Sequence, residues 1–157
     1  MRKRIIPGIE HKIERLAADW LDLEALAEVE VTSEDPEYPI EAALLRDMVQ
    51  GWRAGAPGKQ LIRLLFKQPQ PVHGVQLSFV ETAVCRTQEY VLRISHDNGL
   101  SYTEVVRQQW NFSPSGANAE LEEHVIDMPA VTVIELSITP DINDPSAIAT
   151  LEKLQVS

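Results

Sequence analysis

The sequence predicts an all-β fold, a β-sandwich or jelly roll, and three observations indicate it. Seven or eight short segments have strand-like patterns, and each is bounded by Gly, Pro, Asn or Asp residues. The alternation of strand and helix signals that is typical of a parallel α/β sheet does not occur. Two of the strand candidates flank His96-Asp97-Asn98-Gly99, where the Asn-Gly pair accepts positive φ at low cost and so favours a tight hairpin.

An amphipathic helix is expected near the N-terminus, at about residues 9–24, just after the Pro7-Gly8 turn. Apolar residues recur there at spacings of three and four, the pattern of one buried helical stripe: Ile9, Ile13, Leu16, Ala17, Trp20, Leu23 and Leu26. Early acidic residues suit the positive end of the helix dipole. We expect residues 1–26 to be a helical extension packed on the domain and residues 27–157 to form the sandwich.

The hydrophobic period then changes from that of a helix to that of a strand. Ala27, Val29 and Val31 alternate with polar residues, residues 33–39 are expected to form a loop, and residues 40–49 a short helix. Further strand candidates lie at about 60–66, 72–80, 88–95, 101–108, 123–128, 131–139 and 150–156. The two long connections, 81–87 and 109–122, are expected to be surface loops, which often carry function on a rigid sandwich.

Length and charge limit the classes of function. The chain has 157 residues, the size of one domain. Its formal net charge of −10 would be repelled by nucleic-acid phosphates and anionic membranes, so neither partner is expected. Its single cysteine, Cys85, cannot form an intramolecular disulfide, and no apolar run is long enough for a secretory leader or a membrane span. These features predict a cytoplasmic protein.

The residues do not assemble a recognisable catalytic motif. Ser95, His96 and Asp97 are neighbours in the predicted hairpin, where their side chains cannot form the spatial relay of a catalytic triad. Cys85 beside Arg86 is more simply explained as an unreactive thiol than as a nucleophile. The acidic run around Glu120 would suit a glycosidase only if two carboxyls faced each other across a cleft. We therefore expect no enzymatic activity.

A metal site is not expected either. Asp141, Asn143 and Glu152 match three positions of a calcium-loop template. However, Pro145 stands where the template needs an oxygen ligand, and Ser146 stands where it needs a turn-forming glycine. The loop could not wrap a cation in the usual way, and no cofactor is predicted.

Saccharide binding is the chemistry that the remaining residues suit. Sugars present polar hydroxyl rims and apolar C–H faces, so their sites pair aromatic platforms with Arg, Asn or carboxylate partners. Side chains of these types are the candidate ligand-binding residues: Arg53, Glu81, Arg86, Arg107, Trp110, Asn111 and Phe112. The alternative is structural, with Trp110 and Phe112 closing the end of the sandwich and Arg107 paired with a neighbouring acid.

Several segments resemble discoidin-type domains, also called coagulation factor type C domains. They are the strand at 60–66 followed by Pro71-Val-His-Gly-Val-Gln-Leu-Ser-Phe79, the hairpin from Tyr90 to Tyr102, and the last strand, Leu151-Glu-Lys-Leu-Gln-Val156. The order of these elements covers about residues 27–157. The resemblance implies a galactose-binding-like jelly roll of about eight strands, which many bacterial carbohydrate-binding modules share.

The resemblance also implies where a ligand would bind. Carbohydrate-binding members often use an Arg from the loop before the Tyr-containing strand, and Arg86 stands at that position. By loop order, Trp110, Asn111 and Phe112 would supply the aromatic and amide partners. Trp52-Arg53 matches the region in which the family has a Trp that is usually structural. The fold is also used for phospholipid, peptide and protein ligands, so it limits function only loosely.

Many members of that family hold a calcium ion with help from a Glu in the final strand. Lys153 stands at the matching position of this chain, and Glu152 is displaced by one residue. The family's acidic loop before the Trp is replaced by Asp47-Met-Val-Gln-Gly-Trp52. Both departures argue against a calcium site.

The sequence therefore favours a non-catalytic module that binds a small polar ligand, a saccharide in the first place, at loops around Arg86 and Trp110. The alternative is a protein-interaction domain that uses the same loops or the acidic N-terminal helix with Trp20. An apolar helical stripe is more simply explained as part of the core than as a separate docking element, and we prefer the core explanation.

Overall fold

The computed structural model describes residues 2–4, 19–48 and 50–157. In chain order the first elements are α1 at Leu23–Leu26, β1 at Ala27–Val31, α2 at Glu41–Leu44 and β2 at Trp52–Arg53. The longer strands follow: β3 at Gln60–Val80, β4 at Arg86–Ser95, β5 at Thr103–Phe112 and β6 at Ala119–Thr139. Two short strands close the chain, β7 at Thr150–Leu151 and β8 at Lys153–Val156. The predicted all-β sandwich is confirmed.

Strands β3 and β6 pair along most of their length and form the spine of the sandwich. The strand order is β1-β3-β6-β4-β5, and every pair is antiparallel. Strand β8 pairs with the second half of β3, and β2 pairs with β7 as a separate two-stranded sheet. Several of these strand pairs join segments that are far apart in the sequence.

A bend in β3 and β6 divides the spine into two layers. The register of this pair shifts between Leu65 and Gly74, a stretch that contains Pro69 and Pro71. Proline cannot donate a ladder hydrogen bond and is found at such irregularities. The buried positions of β3 change from even to odd numbers across the bend, as a shift of one residue requires. The first half of β3 therefore lies in the layer of β1, β4 and β5, and the second half lies in the layer of β8.

The core lies between these layers. Phe79 from one layer stacks on Tyr90 from the other, with ring centroids 5.3 Å apart. Trp52 is buried, and its Nε1 donates to the Ser33 carbonyl at 3.1 Å, so it has the structural role that the family resemblance implied. The large fully buried side chains around them are aliphatic: Ile62, Leu64, Leu77, Leu92, Ile94, Ile134, Leu136 and Ile138.

The predicted β4–β5 hairpin is confirmed, but several strand boundaries are wrong. Asn98 and Gly99 have φ values of 59° and 87°, as the turn requires. Strand β5 runs on to Phe112 because its pairing with β4 continues until Arg86 lies opposite Phe112. The connections are therefore 81–85 and 113–118, shorter than the predicted loops at 81–87 and 109–122. The strand pairs predicted at 60–66 and 72–80, and at 123–128 and 131–139, are each one bent strand.

The helix predictions have mixed outcomes. Residues 9–18 of the expected N-terminal helix lie outside the described residues, and the described part is helical only from Leu23 to Leu26. The short helix expected at 40–49 is a single turn at Glu41–Leu44. The division into an extension at 1–26 and a sandwich at 27–157 stays a prediction. Within the described ranges, no helix has the length and apolar character needed to cross a bilayer.

Candidate functional site

A hollow of about 430 Å³ lies where three segments meet: β2, the β3–β4 connection and the β6–β7 connection. Its volume is in the range of about 300–1,000 Å³ that is typical of small-molecule sites. The lining residues are Arg53, Glu81, Ala83, Val84, Cys85, Arg86, Asp141, Asp144, Ser146, Ala147, Ile148 and Thr150. Three of the sequence-predicted residues, Arg53, Glu81 and Arg86, are thus brought together.

Arg86 forms the base of this hollow and ties its walls together. Its Nε donates to Glu81 Oε1 at 2.8 Å, and its Nη1 donates to Gln88 Oε1 at 2.9 Å and to the Pro140 carbonyl at 2.8 Å. Its Nη2 makes a longer contact of 3.4 Å with Thr150 Oγ1. The guanidinium is buried, and most of its N–H donors bond to the protein. Arg86 therefore holds the walls in position and offers few donors to a ligand.

Arg53 presents the accessible positive charge of the hollow. It lies directly opposite Thr150 in the β2–β7 pair, so both side chains reach the same wall. Its guanidinium lies 4.6 Å from the centre of the Tyr38 ring, a cation–π contact that orients the side chain. Arg53 is exposed, and in the described part of the chain it forms no salt bridge. Its donors are therefore available to a ligand.

The β6–β7 connection supplies two carboxylates that are fixed by local turns. Asp141 Oδ1 accepts from the Asn143 backbone N–H at 3.0 Å. Asp144 Oδ1 accepts from the backbone N–H and the hydroxyl of Ser146, at 2.9 and 2.6 Å. These bonds from Ser146 hold the pKa of Asp144 below its ordinary value, so its carboxyl stays ionised. One oxygen of each carboxylate anchors the turn, and the other accepts no hydrogen bond in the part of the chain that the structure describes.

The predicted aromatic partners do not line the hollow. Phe112 is buried beneath Arg86, whose guanidinium lies 4.7 Å from the ring centre. Trp110 is half-buried and meets Phe112 edge-on, with centroids 6.5 Å apart. Asn111 accepts a hydrogen bond from Thr87 Oγ1 at 2.8 Å, as a cross-strand pair. These residues belong to β5 because the β4–β5 ladder extends past the predicted strand end, which favours the structural alternative for Trp110 and Phe112.

Arg107 lies on the outward face of the five-stranded layer, away from the hollow. Its Nη1 donates to Glu89 Oε1 at 2.7 Å, and its Nη2 donates to Glu104 Oε1 at 2.8 Å. These bonds match the alternative in which Arg107 pairs with neighbouring acids. Both pairs are exposed to solvent, so they contribute little to stability.

Sequence reasoning missed several residues of the hollow. Asp144, Val84, Ile148 and Thr150 were not candidates, and Asp141 was considered only for a calcium loop. A signal was present in Asp141-Ile-Asn-Asp-Pro-Ser146, a run of turn-forming residues between two strands. What the sequence could not provide was the proximity of this turn to the β3–β4 connection.

A second polar cluster lies between the layers, outside the hollow. Tyr90 Oη and His124 Nε2 are 2.8 Å apart, and Glu120 is buried nearby. Burial, together with the charge and hydrogen bond of Glu122, raises the pKa of Glu120 to about 7. In the part of the chain that the structure describes, Glu120 Oε1 has no hydrogen-bond partner. None of Tyr90, His124 and Glu120 is among the described residues that line the hollow.

The residues present do not fit the calcium ion that the family resemblance suggests. The Lys153 Nζ donates to the backbone carbonyls of Leu45 and Met48 at 2.7 and 2.6 Å. A positively charged ammonium group thus occupies backbone oxygens of the type that Ca²⁺ prefers as ligands. Among the described residues, no group of three or more His, Cys, Asp or Glu side chains could hold a metal ion.

The fold is shared with carbohydrate-binding modules and coagulation factor type C domains. A family 32 carbohydrate-binding module from Clostridium perfringens NanJ, in complex with galactose, superposes with a TM-score of 0.63 at 15% identity, over 87% of this chain and 96% of that chain. The family 32 module of AlyQ, in complex with 4,5-unsaturated mannuronic acid, gives 0.62 at 17% identity, over 88% and 98%. An F5/8 type C domain from Bacteroides fragilis gives 0.56 at 15%, over 87% and 93%.

These likenesses confirm the predicted galactose-binding-like fold and show the fold alone, because the sequence identities are low. No protein-family model and no curated protein sequence matches this chain. The function must therefore be argued from the site.

Proposed function

We propose that this chain is a non-catalytic carbohydrate-binding module whose ligand occupies the hollow beside Arg53, Asp141 and Asp144. The observation that carries the proposal is a concave surface whose polar groups have no hydrogen-bond partner among the described residues: the Arg53 guanidinium and the second oxygens of Asp141 and Asp144. Guanidinium and carboxylate groups hydrogen-bond pairs of sugar hydroxyls. The shared fold of saccharide-bound modules supports the same reading.

The charged groups of the hollow support ligand binding without catalysis. A glycoside hydrolase needs one carboxyl with a raised pKa to act as a general acid beside a second carboxylate. Asp144 has a lowered pKa, and the buried carboxyl with a raised pKa, Glu120, lies outside the hollow. The groups that would meet a sugar are therefore suited to hydrogen bonding.

The proposal is tested by titrating a panel of monosaccharides into ¹⁵N-labelled protein and following the amide resonances. We expect saturable shifts confined to residues 53, 81–86 and 141–150. Arg53→Ala should weaken binding at least tenfold, because it removes the accessible cation without disturbing the core. Arg107→Ala, which alters an exposed arginine outside the hollow, is the matched control and should bind as the parent does.

The opposite results would overturn the proposal. One is that no sugar shifts any amide of the hollow; another is that Arg53→Ala binds as well as Arg107→Ala. The protein-interaction alternative stays a prediction, as do the cytoplasmic location and the absence of nucleic-acid and membrane partners. Shifts caused by a macromolecule on the same amides, without any response to sugars, would favour that alternative.

A further inference from the structure

The proposed function leaves the class of sugar open, and the fold does not decide it. Structures that share the fold hold neutral galactose in one case and an unsaturated mannuronic acid, which carries a carboxylate, in another. The side chains of this hollow must therefore determine which charge and which substituents are accepted.

The balance of charge in the hollow is negative. Among the residues that the structure describes, two cations and three carboxylates line it, and one of the cations, Arg86, is paired with Glu81 at its base. The accessible groups that remain are Arg53 against Asp141 and Asp144. A negatively charged ligand would meet two carboxylates and one guanidinium, within a domain whose formal net charge is −10.

The apolar surface of the hollow is aliphatic. None of the described residues that line it is aromatic, so these residues offer a pyranose ring no flat face on which to stack. The exposed apolar side chains are Val84, at 54%, and Ile148, at 38%, with Ala83 and Ala147 beside them. A methyl group placed against these side chains would be removed from water, which favours binding.

We infer that the hollow selects neutral saccharides that carry a 6-deoxy methyl group and rejects uronic acids. This inference rests on the proposed function. The substituent would contact Val84 and Ile148, while ring hydroxyls donate to Asp141 and Asp144. Arg53 would donate to a ring or hydroxyl oxygen. The Arg86–Glu81 pair holds the geometry without touching the sugar.

Matched sugar pairs isolate the two parts of this inference. D-Galactose and D-galacturonic acid differ in charge, and L-fucose and L-galactose differ in a methyl group against a hydroxymethyl group. Dissociation constants are measured from amide shifts at neutral pH. We expect galacturonic acid to bind at least tenfold more weakly than galactose, and L-fucose to bind about threefold to tenfold more tightly than L-galactose.

Variants assign each preference to its residues. Asp141→Asn with Asp144→Asn should reduce the discrimination against galacturonic acid, because both repelling charges are removed. Val84→Ser with Ile148→Ser should remove the preference for fucose and leave the ratio of galactose to galacturonic acid unchanged. Val84, Asp144 and Ile148 are exposed and Asp141 is half-buried, and the amide spectrum of each variant verifies its fold.

The outcomes separate this inference from the proposal beneath it. If sugars bind at the hollow but galacturonic acid equals galactose, or L-galactose equals L-fucose, the inference is overturned and the proposed function stands. If preferences exist but the variants leave them intact, the assignment to these residues is overturned. If no sugar binds, the proposed function fails, and the inference fails with it.

Discussion

Arg86 and Glu81 form a shielded ion pair beneath the hollow, with Nε and Oε1 2.8 Å apart and side chains that are 2% and 16% exposed. The pair joins the start of β4 to the β3–β4 connection, and other bonds of Arg86 extend to Pro140 and Thr150. An arginine that sequence similarity would assign to the ligand is here part of the support beneath it.

The first prediction is that Arg86→Met destabilises the fold. Removing one partner of a shielded pair leaves the other charge uncompensated, which costs about 3 kcal/mol of unfolding free energy. Urea denaturation measures it. Arg107→Met is the control, because its ion pairs are exposed to solvent and their loss should lower the unfolding free energy far less. Equal losses in the two variants would contradict the supporting role of Arg86.

The second prediction is that the Lys153 ammonium group stabilises the fold in place of a bound metal cation. Lys153→Met should lower the unfolding free energy by about 2 kcal/mol, because the Leu45 and Met48 carbonyls lose a charged donor. Neither added calcium nor a chelator should shift the melting temperature of the parent. Lys67→Met, at an exposed lysine, should be nearly neutral. A parent that is stabilised by calcium would show that this reading of Lys153 is mistaken.

The third prediction concerns pH and Glu120. Its pKa is raised from 4.5 to about 7, chiefly by burial, so the folded state keeps a proton that the unfolded chain releases. The contribution of Glu120 to the unfolding free energy is therefore fully present below about pH 4.5 and is lost as pH rises towards 7. Between pH 5 and pH 8 we expect the parent to lose about 2–3 kcal/mol more unfolding free energy than Glu120→Gln.

His124 makes that comparison with Glu120→Gln necessary. Burial lowers the pKa of His124, so its contribution changes in the opposite direction, with stability gained as pH rises through its ordinary value. The raw pH profile of the parent mixes the two groups, whereas the difference between parent and variant reports Glu120. Parallel profiles for parent and Glu120→Gln would show that Glu120 does not hold its proton.

The fourth prediction concerns the turn between β4 and β5. Gly99 has a φ of +87°, and a Cβ there would lie 3.1 Å from the Tyr102 hydroxyl. Gly99→Ala should therefore reduce stability by about 1–2 kcal/mol in thermal unfolding. Gly116→Ala is the control, because no atom would lie within 4 Å of the added Cβ. Similar melting temperatures for both variants would show that an alanine at position 99 is not strained.

Some features of this protein could be predicted because their cause is local. The alternation in Ala27–Val31 follows from one partly buried strand face, and Asn98-Gly99 encodes a turn through its own dihedral preferences. The order of such segments was enough to indicate the galactose-binding-like fold. Strand ends were less accessible to prediction, because β5 reaches Phe112 only while β4 lies beside it to pair.

The sequence by itself determined the all-β class, the central hairpin and the residue types that a polar ligand would need. Only the tertiary structure decided which of them meet: Arg53 and Glu81 reach the hollow with Asp141 and Asp144, while Trp110 and Arg107 do not. The physical reason is distance along the chain. Dihedral preferences act between neighbours, whereas the hollow exists because antiparallel pairing brings three distant segments to one place.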